Sequence, residues 1–588
     1  VGGTPLALEM AAAWVRVLSC ADIAEALERD SALLESGSTD RPERHRSMRI
    51  AFEHSWRLLS REQKRHATAL SVFRGGFGRE AASRVADVAL GPLASLVDRS
   101  LVSWNGAGRY KLHPLLQRFL EDEARRVPEV WEGVREKHAR YYLDVLNMRR
   151  PAVHRPPMRA LAFSERHARK AAVEIELDLA NVLVAWEWAA SHDRRELLEA
   201  AVEPLGWFFL LRGRPQQGLD WIDSLERTEP ETVLALRQVL WRGEFLKELG
   251  RLPEAMDCIQ AAVRRAERLG AGAELAHALR LAGVTHLRDD PPDQERTKQA
   301  FHRSLAIYRE LGNRWGEALM LGNLGYESED PDVTLTMVHE GLALARDFED
   351  SVAKALNLGY LAKLLLYCRG DYRAARAAAE ESIACHEAIG FDFHLAHTLL
   401  TYGDIDVAAG DPASAETTSD RVLDLSAGFQ GDAEVMVRGG AYALHGHSQR
   451  ARGDVERARV HYRRALDLLR SARRNETTVW AVGMSLDGLA GIALDEGRPT
   501  EARAHATEAL ALLRLFSVHG TLFLPAAIDV SAPIRLAQAL TLEGEHDAAD
   551  AQLLSVLRRA RGRKRIPAVL EALGALADLR RGQGRADE

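Results

Sequence analysis

Any chemistry in this sequence must come from a small set of residues whose types and spacing could act together. Gly3-Thr4-Pro5 opens a helix, with Thr4 placed to cap it and Pro5 in its first turn. His113 ends a hairpin pattern and precedes a helix, in Leu112-His113-Pro114-Leu115-Leu116. An imidazole beside a helix N-terminus suits a phosphate group, or it simply packs and caps. His394 and His397 share a helix face with Asp404 and Asp406 downstream, and His445 and His447 alternate around Gly446. A metal ion needs three or four convergent ligands. With 21 histidines in the chain such pairs arise by chance, so no metal site is expected. His386-Glu387 lacks the second histidine of a zinc-protease helix, and no G-x-S-x-G elbow is present. A phosphate-binding loop needs G-x-x-x-x-G-K-[ST], whose backbone N–H groups cradle phosphates while the Lys and the hydroxyl serve the γ-phosphate and Mg²⁺. No Gly-Lys pair occurs anywhere, so no catalytic residue is assigned and the chain is not expected to be an enzyme.

The elements that position these residues follow from the bulk properties. With 588 residues the chain is long enough for about four domain-sized units or one long repeat array. Lys+Arg 78 against Asp+Glu 85 gives a net charge of −7, which excludes a dedicated nucleic-acid binder and leaves only local basic patches. The densest is Arg558-Arg559-Ala560-Arg561-Gly562-Arg563-Lys564-Arg565, read as a solvated helix end, with a second between Arg149 and Lys170. No stretch approaches the roughly 20 apolar residues of a membrane span. The four cysteines form no C-x-x-C pair and suit a reducing cytoplasm, the expected location. The chain starts on Val with no leader pattern and is read as a fragment.

Leu, Ala and Arg dominate, in helical periodicity broken by short turn signals. Beyond residue 200 these recur at Gly213, Gly250, Asp290, Asp330, Gly370, Gly410, Gly453, Gly497 and Gly544, in steps of 37 to 47 residues. Such a step in an all-helical chain marks stacked helical hairpins, each too small to bury its own apolar face. Five residues after the turn an alanine follows, at Ala255, Ala375, Ala415, Ala458, Ala502 and Ala549. Before it lie Gly243, Gly322, Gly403 and Gly446, each costing about 1 kcal/mol in mid-helix unless close packing requires it. Lys363 breaks this rule in the Gly370 repeat. The pattern Gly446, Gly453-Asp454, Ala458, Tyr462, Ala465 resembles the tetratricopeptide repeat.

The first 150 residues differ. Helices are expected over 63–73, 79–86 and 91–98, then strands 101–104 and 109–112 around Asn105-Gly106-Ala107-Gly108, then helix 114–126. Three helices and a short two-stranded wing make a winged helix. Its third helix carries a single cation, too few for reading DNA. Pro151, Pro156 and Pro157 mark a loop and a domain seam.

Taken in order, Gly2-Gly3-Thr4-Pro5-Leu6-Ala7-Leu8, Arg44–Arg49, Trp56–Ser60, Leu70–Phe77, Leu96–Leu101 and Glu174–Val182 resemble the STAND class of signal-transduction ATPases, related to the NB-ARC switches. In that class a helical domain, a winged helix and a sensor array follow an ATPase core. The resemblance implies that Gly3 and Pro5 lie against the adenine of a bound nucleotide. It also implies that His113 contacts the β-phosphate of ADP, although Pro114 replaces the acid that normally follows that histidine. ADP or ATP would bind only together with the absent core. The expected architecture is all-α: a helical lid domain over 1–61, a winged helix over 62–127, a helical connector over 128–200 and a TPR-like α-solenoid, a right-handed superhelix of hairpins, over 201–588. The expected function is the sensor portion of a STAND-type transcriptional regulator. A protein partner or small-molecule inducer would bind the array, DNA would be bound only through a missing effector domain, no membrane would be involved, and nucleotide could drive oligomer formation. The alternative is a free-standing TPR scaffold without nucleotide.

Overall fold

The computed structural model describes Ser19 and residues 56–148, 168–225, 231–288, 293–346, 352–429, 431–470, 476–516 and 530–584. Gly3, Pro5, the Arg44–Arg49 segment, Asp290 and the proline loop at 151–157 lie outside the described residues. Two compact units divide what is described: residues up to Met148 with Val173–Ala201, and Ala168–Ala172 with those from Val202 onward.

In the first unit, Ser60 and Gln63 form a capping box that opens α1 (Arg61–Leu70). Then come β1 (Phe77–Gly78), α2 (Arg79–Ala86), α3 (Leu90–Asp98), β2 (Ser103–Trp104), β3 (Arg109–Lys111), α4 (Pro114–Ala124), α5 (Pro128–Met148) and α6 (Ala168–Ser191). The expected helices are present. The hairpin is shorter than expected, because Leu101 and Val102 turn inward and donate their N–H groups to Leu96 at the end of α3. The sheet also gains a strand, running β1-β3-β2 with Phe77 opposite Tyr110. Two residues are too short a strand to show alternation in a sequence.

The glycines before β1 have a steric reason. Gly75 and Gly76 take φ of 76° and 142°, and a Cβ on Gly76 would meet the Tyr110 carbonyl at 3.2 Å. The fully buried Asn181 of α6 fastens this loop: its Oδ1 accepts from the Arg74 N–H at 2.6 Å and its Nδ2 donates to the Gly76 carbonyl at 2.8 Å. Arg109 reaches the same carbonyl and pairs with Asp178 at 2.7 Å. Two segments that carry the resemblance, about 105 residues apart in sequence, thus meet in one hydrogen-bonded node.

The second unit is a stack of helical hairpins. After α7 (Arg195–Leu211), which spans the seam, come α8 (Pro215–Asp223), α9 (Val233–Glu248), α10 (Leu252–Leu269), α11 (Gly272–His286), α12 (Gln294–Glu310), α13 (Arg314–Tyr326) and α14 (Pro331–Ala345). The stack continues through α15 (Val352–Leu364), α16 (Tyr372–Ile389), α17 (Asp392–Ala408), α18 (Pro412–Ser426), α19 (Asp432–Ala451) and α20 (Val455–Leu469). It closes with α21 (Glu476–Asp495), α22 (Pro499–Phe516), α23 (Ala532–Leu542), α24 (His546–Gly562) and α25 (Ile566–Gly582). Odd-numbered helices from α7 to α23 begin each hairpin. The turn glycines at 213, 250, 370, 410, 453, 497 and 544 all have φ between 63° and 85°, the left-handed conformation that ends a helix within one residue. The six alanines after the turns are all 0% exposed.

The mid-helix glycines are packing sites. A Cβ on Gly403 would meet Leu444 at 2.2 Å, one on Gly446 would meet the Tyr462 ring at 2.4 Å, and one on Gly488 would meet the other side of that ring at 2.2 Å. Lys363 fits the same scheme through a register shift. Residues Leu365–Arg369 form a single π turn, and its extra residue brings Ala362, fully buried with Ala375 and Ala379, to the close-contact position. Lys363 is thereby turned off the hairpin seam.

Gly446→Ala and Gly488→Ala are expected to destabilise the repeat unit by about 1–3 kcal/mol each, since overpacking against Tyr462 outweighs the better helix propensity of alanine. At Gly574 in α25 a Cβ would meet nothing within 4 Å, so Gly574→Ala should instead stabilise by up to about 1 kcal/mol. Urea midpoints of the three variants check the opposite signs.

Candidate functional site

The sequence points to two candidate sites. At the first, Gly3 and Pro5 fall outside the described residues, and His113 is an exposed residue at the N-cap of α4. Its Nδ1 accepts from the Leu115 N–H at 3.3 Å. Burial and then the nearby Lys111 charge lower its pKa from the usual histidine value. The imidazole is thus held neutral at a helix N-terminus, with one ring nitrogen used for capping.

The second candidate is the face formed by the first helices of the hairpins. Polar contacts link several of these helices to the next. The Arg237 guanidinium of α9 donates to Glu274 of α11 at 2.9 Å, the Tyr360 hydroxyl of α15 to Asn323 of α13 at 3.1 Å, and the Tyr367 hydroxyl to Asp404 of α17 at 2.6 Å. Trp480 of α21 also donates to Asp404, at 3.2 Å, across two hairpins. Gly440 of α19 makes room for this, since a Cβ there would meet Leu400 at 2.8 Å and the Trp480 ring at 3.1 Å, while its neighbour Gly439 packs on Leu469. That α17 and α21 touch places the first helices on the inside of the curve, the face such arrays use for recognition.

This face is rich in ionisable groups that sit deep enough to be perturbed; Lys363, His394, His397 and Asp404 are half-buried, and Glu327 is buried. Burial pushes Asp404 up to about 6 against the hydrogen bonds from Tyr367 and Trp480. Burial lowers Lys363 to about 8, with Asp404 opposing, and its ammonium lies 5.2 Å over the Tyr326 ring. Burial lowers His397 to about 3, assisted by the charges of Lys363 and Arg288. Burial, then His386, His397, Lys247 and Arg288, hold His394 well below the usual value. Glu327 is 1% exposed, has no hydrogen bond to either carboxylate oxygen, and is pushed by burial up to about 7. Beside these, Lys247 is buried between Glu244 at 2.6 Å and Glu248 at 2.7 Å. Lys247, His277 and Arg280 hold Glu244 well below the carboxylate range although burial opposes them. A face of neutral histidines, a protonatable carboxyl and tyrosine hydroxyls can exchange hydrogen bonds and protons with a ligand.

The other motifs do not converge. His394 and His397 stand with ring centroids 6.4 Å apart at 85°. His445 faces Asp420 at 3.1 Å while His447 turns the other way to the Met484 carbonyl at 3.3 Å. Among the described residues no group of three or more His, Cys, Asp or Glu could hold a metal ion, and no helix is long and apolar enough to cross a membrane. The basic run 558–565 is not wholly solvated as expected, because Arg565 is buried and Lys564 is paired. Sequence reading did not find Tyr367, Trp480 or Glu327. The available signals were Lys363 at a position reserved for small residues and the Gly439-Gly440 pair.

No protein-family model matches the chain. Proteins of Mycobacterium bovis and Mycobacterium tuberculosis provisionally named HTH-type transcriptional regulators are 26% identical to it over 574 residues, covering 87% of this chain. The match spans 61% of the length of these relatives. Among solved structures, a Signal Transduction ATPase with Numerous Domains from Pyrococcus horikoshii, with a tetratricopeptide repeat sensor, is 15% identical with a TM-score of 0.34, covering 79% of this chain and 72% of that one. A Rap protein complexed with competence and sporulation factor is 16% identical with a TM-score of 0.41, covering 65% and 99%.

Burial lowers His386 to about 3, far below the 6.5 of an unfolded chain. Below about pH 6.5 the unfolded state binds this proton and the folded state does not, so stability is full above that pH and falls as pH drops toward 3. His386→Gln should flatten the fall in stability between pH 6 and pH 4 by about 1.4 kcal/mol per pH unit, whatever it costs at pH 7. Urea unfolding of the repeat unit across that range gives the slope.

Proposed function

We propose that this chain is the sensor and clamp portion of a nucleotide-dependent regulator of transcription. Its repeat array takes a small-molecule inducer or a protein partner on the inner face, and its first unit serves as the winged helix that closes over nucleotide. The observation that carries the reading is the inner face itself. Glu327, Lys363, His397 and Asp404 are all perturbed by burial there, an arrangement that structural packing alone does not require. The similarity to regulators of transcription over 87% of the chain supports the regulatory role. Gly3 and Pro5 would meet the adenine and His113 the β-phosphate of ADP, held by an ATPase core that this chain does not contain; DNA would be bound by a further domain. The response would be a shift between closed and open populations, driven by different ligand affinity for each.

The rival reading, a scaffold without nucleotide, is favoured by one observation: Nδ1 of His113 is already occupied as a helix cap. The test separates cap from phosphate contact. Asparagine is an excellent N-cap, so His113→Asn in the full-length protein keeps α4 while removing the imidazole. The switch reading predicts an ADP affinity at least tenfold weaker, about 1.4 kcal/mol, with unchanged thermal stability. Unchanged ADP binding, or none in either protein, would leave the scaffold.

A further inference from the structure

We infer that the repeat array is held closed by a clasp centred on Lys564, and that the π turn of α15 couples this clasp to the inner face. The inference rests on the sensor reading above and supplies its means of control.

Lys564 has an unusual conformation. The turns that follow α10, α12 and α16 use Gly270, Gly312 and Gly390 at φ of 61° to 77°. At the equivalent turn after α24 stands Lys564, at φ 51°. The backbone match is close: Gly312 N–H bonds to Arg309 and Asn313 N–H to Tyr308, just as Lys564 N–H bonds to Arg561 and Arg565 N–H to Ala560. A lysine in this left-handed position is strained where glycine is not. Its side chain supplies the compensation. The ammonium lies 2.9 Å from Asp330 and 2.6 Å from Asp332, residues about 230 positions earlier at the start of α14. Arg369 of the π turn pairs with the same Asp332. A Cβ on Gly370 would meet Pro567 at 3.0 Å, and Arg565 between these contacts is 1% exposed.

The five-residue π turn thus has two faces. Tyr367 points to the inner face and donates to Asp404, while Arg369 and the adjoining Gly370 sit against the clasp. The Arg565 charge is felt by both Tyr367 and Cys368. A ligand that takes Asp404 from Tyr367 releases one side of this turn, and the clasp is attached to the other. π turns carry weaker, longer hydrogen-bond loops than the α-helix and frequently mark functional sites.

The test is hydrogen exchange on the full chain without ligand. Lys564→Gly removes the strain and keeps the turn, so a lysine with only a local role would leave exchange unchanged or slow it. The clasp predicts exchange at least tenfold faster both at Ile566–Leu573 and at Leu365–Arg369, with Lys564→Arg close to the parent. Tyr367→Phe should in turn speed exchange at Ile566–Leu573. Slower or unchanged exchange in Lys564→Gly overturns the clasp. Faster exchange at Ile566–Leu573 alone, with the π turn unaffected, overturns the coupling. Since no ligand is used, either failure leaves the sensor reading to be judged on His113 and the inner face.

Discussion

The whole repeat unit depends on one steric condition: two short helices must approach closely enough to share an apolar face that neither can bury alone. Backbone-distance packing at Gly446 and Gly488, on both sides of the Tyr462 ring, shows how tightly the condition is met. Once the seam is fixed by small residues, the turn length, the helix phase and the outward direction of every other side chain follow. The left-handed glycines end seven of the nine first helices at the position that returns the chain along the seam. Large residues such as Tyr462 and Trp241 then fill space that the glycines leave open.

The inner face is where this economy is relaxed. Ionisable groups in partly dry surroundings oppose folding unless they are paired or neutral. Lys247 with its two glutamates follows the first course, and the histidines at 394 and 397, with His386 of α16 stacked against His394, follow the second. Glu327 follows neither well, since both of its oxygens lack a hydrogen bond. Such a group holds its place because the surrounding packing determines it.

The repeat seam was legible in the sequence because it is built from residue types with a local signature. Gly at a left-handed turn and Ala five residues on recur whatever lies around them. The inner face was much less so. Tyr367 meets Asp404 only because the π turn shifts the register by one residue, and nothing in Leu365-Leu366-Tyr367-Cys368-Arg369 announces a π turn. Lys363 looked like an exception to the small-residue rule when Ala362 was meeting that rule one position earlier. In the first unit the helices were readable from apolar periodicity, whereas β1 depends on a partner 33 residues away, to which Phe77 is matched at Tyr110. The role of His113 as a cap was one of the two readings its position allowed.

A stack of hairpins in which each touches only its neighbours can assemble from any point and grow along its length. The contact between Lys564 and Asp330, 234 residues apart, changes that. Loop closure over such a span adds an entropic barrier that local contacts do not have. On the ribosome, Asp330 at the start of α14 must therefore stand without its lysine partner until the turn after α24 has been made, while Asp332 already has Arg369. A chain interrupted before Lys564 would hold the same hairpins as far as α24 and still be distinguishable from one in which this contact has closed.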